Sequence, residues 1–244
     1  MSVPLWASEL ARIFWTRARQ SEPFPRTLRR PISRAVRLSV MLLPELGVWA
    51  AREWLKKCGI VCELQGKDRL LRACLVARSG HGIAIIDGDQ GDDELRFSLA
   101  HELAHFLKDY WILRQQICKR LGPSALEVLD GERTPTTDER LHALLRGVPL
   151  GFHVHLMERN NDGIVTSAST GEAEENADRL AYELLAPADH VFAGGSHTNN
   201  RLLTEKLRVF YGLPRLQAAR YARILLPPVH TDPLILRLKD LANM

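Results

Sequence analysis

The five residues His101-Glu102-Leu103-Ala104-His105 constrain this chain more than any other feature. In a helix, residues four apart lie on one face about a turn apart, so the two imidazoles can grip a single metal ion. Glu102 lies one step round and points toward the same opening, where its carboxylate can take a proton from water. The fold must therefore supply a helix here, bury its histidine side and bring a further ligand from elsewhere. The helix itself is legible. Phe97, Ala100, Ala104, Leu107 and Trp111 recur at alternating steps of three and four, which is helical spacing. Asp92 or Asp93 can cap its start, and it is expected to run from Glu94 to about Gln116.

A catalytic zinc takes three protein ligands and keeps one position open. The third ligand is sought among the acids of Gly171-Glu172-Ala173-Glu174-Glu175-Asn176-Ala177-Asp178. Glu174 shares a helix face with Ala177, Asp178, Ala181 and Leu185, a face otherwise small and apolar, so it should point inward. Glu172 and Glu175 share faces with Asn176, Arg179 and Tyr182, which read as solvent-facing. A carboxylate on an inner face needs a partner, and a metal supplies one. Asp178, one turn on, can accept a hydrogen bond from the far nitrogen of a ligating histidine and so fix its tautomer. The helix carrying both acids is expected from Gly171 to Ala186, stopped by Pro187.

Elsewhere the reading is coarser. Residues 1–20 form an amphipathic pattern, 22–31 a Pro/Arg connector, and 32–58 read as helix, interrupted near Pro44 and Gly47. Leu70–Ala77 and Gly82–Asp87 are short apolar runs either side of Arg78-Ser79-Gly80-His81, a β-hairpin pattern. Within 121–170 a helix is expected around Asp138–Arg146 and a strand over Phe152–Met157. His153 and His155 then share a strand face. They are expected as exposed strand residues, with a second metal site as the alternative. A donor to the oxyanion of a hydrolytic step is also expected, with His142, His153, His155 and Tyr182 as candidates.

Hydrophobic residues at 45% and charged residues at 25% match an ordinary globular chain. Cys58, Cys62, Cys74 and Cys118 form no CxxC pair, so reduced structural thiols are expected. The opening residues lack a signal-peptide pattern and no apolar run is long enough to span a bilayer, which leads to an expected cytoplasmic location without membrane contact. The net charge of +4 is uneven: eight arginines from Arg12 to Arg37 face one acid, Glu22. A solvated helix face plus a proline-broken linker is the expected role, with contact to an acidic partner or nucleic acid as the alternative. After Gly194–Asn200, two helices meet at Tyr211-Gly212-Leu213-Pro214. They carry Arg201, Lys206, Arg208, Arg215, Arg220 and Arg223 against Glu205. A hairpin that closes the domain is favoured there over a DNA-reading helix-turn-helix. The tail with Pro227, Pro228 and Pro233 is expected to be irregular.

Phe97-Ser98-Leu99-Ala100 leading into His101–His105, followed by E-x-x-A-D-x-x-A-x-E-L-L-x-P from Glu174 to Pro187, resembles the ImmA/IrrE metallopeptidases. The resemblance covers about 53–187. It implies an α+β, zincin-like minimal metallopeptidase domain over 51–192, with a small antiparallel sheet packed on the HExxH helix and on a second, ligand-bearing helix. A basic helical extension (1–50) precedes it and a helical hairpin with an irregular tail (193–244) follows. The resemblance also implies one Zn²⁺ per chain held by His101, His105 and Glu174, with Glu102 as general base. The implied activity is that of a zinc endopeptidase cutting a regulatory protein, a helix-turn-helix transcriptional repressor of bacteria and their mobile elements. Two departures stand out. The interval from His105 to Glu174 is longer than the family's, the excess falling in 119–170 as a lid or flap, and Ala186 stands where methionine is common. The competing expectation is a metal-containing regulatory or docking module with little proteolysis; the intact Glu102 favours the peptidase.

Overall fold

Sixteen helices and strands make up the described part of the computed structural model, which covers residues 3–19, 22–64, 67–141, 150–158, 168–193 and 199–226. The elements run α1 (Leu5–Ala18), α2 (Arg29–Ala35), β1 (Leu38–Leu43), α3 (Val48–Lys57), β2 (Leu71–Arg78), β3 (His81–Asp87) and α4 (Asp92–His105). A π-helical stretch (Phe106–Ile112) leads into α5 (Leu113–Leu121), α6 (Ala125–Leu129), α7 (Thr137–Leu141), β4 (His153–Glu158), α8 (Ala168–Leu185), α9 (Ala188–Phe192), α10 (Asn200–Val209) and α11 (Arg215–Leu225). The fold is α+β.

The sheet has the order β1-β3-β2-β4. The expected hairpin is present as β2–β3, and the alternating run near Phe152 is β4, antiparallel to β2. The expectation of an all-antiparallel sheet is corrected: β1 pairs parallel with β3, from Leu38 opposite Gly82 to Leu43 opposite Asp87. The same pairing corrects the helix expected over 32–58. Leu38-Ser39-Val40-Met41-Leu42-Leu43 is a short apolar run, and periodicity alone does not separate a buried strand from helix at that length. The free edge of β3 decides it. The N-terminal extension thereby contributes a strand to the sheet.

Strand alternation splits the apolar residues into two cores. Ala73, Leu75, Ala77, Ala84 and Ile86 face α4 and α8 in the larger core, whereas Cys74, Val76 and Ile85 face α3 with Leu46, Val48, Ala51 and Leu55. On β4 the same rule sends Val154 and Leu156 to the α3 side and Met157 to the α4 side. His153 and His155 therefore face α4. From Asp92 to Leu121 the helical backbone runs on through the π-helical stretch, extending the expected end at Gln116. Where β3 crosses this rod the fit is tight: a Cβ on Gly82 would lie 2.7 Å from the Phe106 ring and 2.9 Å from Leu38.

The C-terminal pair packs back on α8. Tyr221 stacks on Tyr182 with centroids 4.5 Å apart, and its hydroxyl donates to the buried Glu183 carboxylate at 2.7 Å. Gly212 turns the chain between α10 and α11 at φ +67°, where a Cβ would also meet the Arg96 guanidinium at 2.6 Å and Pro25 at 2.8 Å. Tyr182, expected at the surface, is 1% exposed. Its helix is covered by α11, which single-helix periodicity does not reveal. Among the described residues no helix is long and apolar enough to cross a membrane. His142, the remainder of the 138–146 helix, most of the Gly194–Asn200 loop and the proline-bearing tail lie outside the described residues.

Candidate metal centre

The first requirement is that α4 bury its histidine side, and it does so completely. Every residue from Phe97 to His105 is buried, because β2 and β3 cover one flank and α8 the other. His101 and His105 are 2% and 3% exposed and Glu102 is fully buried. Helix α8 runs beside α4, with Ala177, Leu180 and Ala181 as its contact face. Small residues on that face let Glu174 and Asp178 reach the histidines, while Glu172 and Glu175 stay exposed.

Four side chains converge. One donor atom from each of His101, His105, His155 and Glu174 lies within 4.8 Å of all the others, so this group could hold a metal ion. The Nε2 atoms of His101 and His105 are 3.1 Å apart. Glu174 reaches His101 Nε2 at 3.3 Å, His105 Nε2 at 3.6 Å and His155 Nε2 at 2.9 Å. Two imidazole lone pairs at 3.1 Å repel unless a proton or a cation stands between them. The donor set of three imidazoles and one carboxylate is that of a transition-metal site.

Each histidine is held from behind by an acid. His101 Nδ1 lies 2.9 Å from Asp178, His105 Nδ1 2.7 Å from Asp109, and His155 Nδ1 2.9 and 3.1 Å from the two oxygens of Glu102. A carboxylate at Nδ1 keeps the proton there and turns the Nε2 lone pair inward. All three rings therefore present the same atom to the same point. Asp178 stands behind His101, the contact that its helical position led one to expect. Asp109 went unnoticed in the sequence, although it stands four residues after His105. It lies in the π-helical stretch, whose wider turn brings residues four apart closer to alignment than an α-helix does.

His155 occupies a place the sequence did not assign. Expected as an exposed strand residue or half of a second site with His153, it instead joins the main cluster, its side chain 14% exposed and its ring stacked on His105 at 3.7 Å. Strand parity put the two histidines on one face; only the pairing of β4 with β2 shows that this face looks at α4. His153 stands apart against Tyr110, 5.8 Å between rings. Tyr182 lies in the core between Phe97 and Tyr221.

The electrostatics follow from burial and these acids. Burial opposes charge on His101, but Asp178 and Glu174 override it and push its pKa up to about 10. His155 is likewise opposed by burial and pushed up to about 9, chiefly by Glu102 and then by Glu174. His105 is held well below its ordinary value by burial and by the charge of the other two rings. Burial works against the charge of Glu174, yet the two imidazoles hold its carboxyl well below the usual range. With His101 and His155 both raised, a cation binding among these rings would compete with protons.

No protein-family model, curated protein or solved structure matches the chain.

Proposed function

We propose that the chain is a zinc-dependent endopeptidase of the ImmA/IrrE type, which cuts a regulatory protein of the transcriptional-repressor class. One observation carries the reading: a buried glutamate of an HExxH helix stands beside a cluster of imidazole and carboxylate donors that lie within 4.8 Å of one another. Zinc bonds of about 2.0–2.1 Å at tetrahedral angles place neighbouring donors roughly 3.3–3.4 Å apart. The separations around Glu174 and between the α4 histidines run from 2.9 to 3.6 Å. His101, His105 and Glu174 would hold the ion, with Asp178 and Asp109 fixing the two imidazoles.

When bound, zinc supplies Lewis acidity toward water and a peptide carbonyl. The remaining work belongs to the chain. Glu102, fully buried, serves as the base that takes a proton from the attacking water and returns it to the leaving amine. Its burial shields it from bulk solvent, which strengthens each charge interaction it makes. His155, whose Nδ1 faces Glu102, is the candidate donor for charge developing on the carbonyl oxygen. Tyr182, buried in the core, is withdrawn from that role.

Zinc analysis and cleavage test the two halves separately. About one zinc per chain is expected, lost in His101→Ala, and cleavage of a co-encoded helix-turn-helix repressor is expected to stop in Glu102→Gln. Metal-free protein with all ligands intact would end the zinc reading; equal cleavage by Glu102→Gln would remove Glu102 from its role.

A second reading, a metal-holding regulatory module with little proteolysis, is favoured by His155. With four protein donors the site resembles the closed shell of a structural zinc rather than the open shell of a catalytic one.

A further inference from the structure

We propose that His155 is an exchangeable fourth ligand that closes the site and ties up its base. This rests on the zinc-peptidase reading and explains how a four-donor cluster serves a reaction that needs an open position.

The argument begins with the repeated pairing. His101 with Asp178, His105 with Asp109 and His155 with Glu102 share one geometry: a carboxylate at Nδ1 within 2.7–2.9 Å and Nε2 turned to the centre. Nothing in that geometry separates His155 from the two α4 histidines. Glu102 thus stands to His155 as Asp178 stands to His101. In this arrangement Glu102 spends both oxygens on the ring of His155, at 3.1 and 2.9 Å. A general base needs a free lone pair facing water, so the anchoring role competes with the base role.

The mounting of the three imidazoles says which of them yields. His101 and His105 stand on one buried helix, and Glu174 on a second helix packed along it. His155 stands on β4, which among the described residues is an edge strand bonded to β2 alone, with a register irregularity between Leu71 and Ala73. Its side chain is 14% exposed against 3% for the other two histidines. Of the β4 residues only Met157 is buried. Withdrawing His155 requires a shift of one edge strand or a rotation of one side chain, whereas withdrawing either α4 histidine requires parting α4 from α8 or unwinding it; Glu174, at 30% exposure, is tied to the ring of His155 at 2.9 Å. Moving His155 away opens the fourth position and releases the Glu102 carboxylate in a single step.

Cobalt(II) replacing zinc in the full-length protein reads the ligand shell without reference to activity. In the wild-type protein azide, a weak monodentate ligand, should leave the visible bands unchanged, because no position is open. Acetohydroxamate, a stronger bidentate ligand, should shift them by displacing His155. In His155→Ala both should shift the bands, acetohydroxamate at a concentration lower by about tenfold or more, since the competent state no longer has to be drawn from a closed one. Azide shifting the wild-type bands as it does the variant's would overturn the proposal. So would acetohydroxamate that saturates His155→Ala and leaves the wild type unmoved, which would make His155 a permanent ligand. The wild-type azide arm stands even if the variant folds poorly. Failure to take up cobalt or zinc at all sinks the metal reading itself, whereas closed cobalt behaviour without repressor cleavage sinks only the peptidase reading.

Discussion

Replacing Asp109 by alanine is expected to weaken zinc binding about tenfold while leaving the protein folded. Asp109 accepts from His105 Nδ1 at 2.7 Å, a charge-assisted contact. Hydrogen bonds to a charged group contribute about 1.5–3 kcal/mol, and carboxylates behind ligating histidines typically change metal affinity 10–100-fold. Two observations place Asp109 at the lower end of that range. Its side chain is 23% exposed, and Lys108 Nζ lies 3.4 Å from its other oxygen, so solvent and a second cation share its charge. About 1.4 kcal/mol, or tenfold, results. Asp178 has nearly the same distance, 2.9 Å, and the same exposure, 24%, so Asp178→Ala should match Asp109→Ala within about threefold. Competition against a chromophoric chelator at fixed pH measures both, with circular dichroism to verify folding. Asp109→Asn keeps an acceptor and loses the charge, and should fall between wild type and alanine. A folded Asp109→Ala protein binding zinc within twofold of wild type, beside a weakened Asp178→Ala, would refute the claim that the π-helical stretch supplies a support for His105.

Other expectations follow from the same geometry. Zinc uptake at about pH 7.5 should release about two protons. His101 and His155, held at about 10 and about 9, carry a second proton there, and both must lose one to ligate; calorimetry in two buffers of different ionisation enthalpy counts them, and a count near one would exclude His155 as ligand. In the metal-free protein these raised values stabilise the fold fully below pH 6.5, and that contribution is lost as pH rises through about 9 to 10, visible in thermal melts. Gly82→Ala should cost about 1–3 kcal/mol through overpacking, because the new methyl meets Phe106 at 2.7 Å and Leu38 at 2.9 Å; an unchanged melting temperature would contradict the contact. Tyr221→Phe leaves the buried Glu183 without its 2.7 Å donor and should cost about 1–3 kcal/mol, read from urea midpoints; no loss would mean that this bond contributes nothing to docking the C-terminal pair.

Helical periodicity made much of this protein legible, because helix faces are written within a single segment. The α4 pattern and the inward face of α8 could be read from spacing alone, and Glu172, Glu174 and Glu175 sorted by the same rule. What escaped depends on partners distant in sequence. The run Leu38–Leu43 is a strand because β3 offers it an edge. Tyr182 is buried because α11 lies over it. His155 reaches the cluster because β4 pairs with β2 across an interval of nearly eighty residues. Parity supplied the face of β4 but not which layer that face meets. Asp109 is a different case: it stands at helical spacing from His105, and the missing signal was the question itself, what holds the second imidazole.

That question, asked of all three histidines, gives the site its logic. A carboxylate behind an imidazole orients it; a carboxylate facing water deprotonates it. Asp178 and Asp109 sit behind rings fixed to the helical core, so orienting is all their position allows. Glu102 sits behind a ring carried on an edge strand, and it is also the buried glutamate of the HExxH pair. Its role therefore depends on where His155 is. With the ring in place it is a third orienting acid and the donors number four; on the proposed reading, withdrawing the ring would leave three donors and free it to act as a base. On the proposed reading, a single residue on β4 would separate a four-donor metal site from a hydrolytic one.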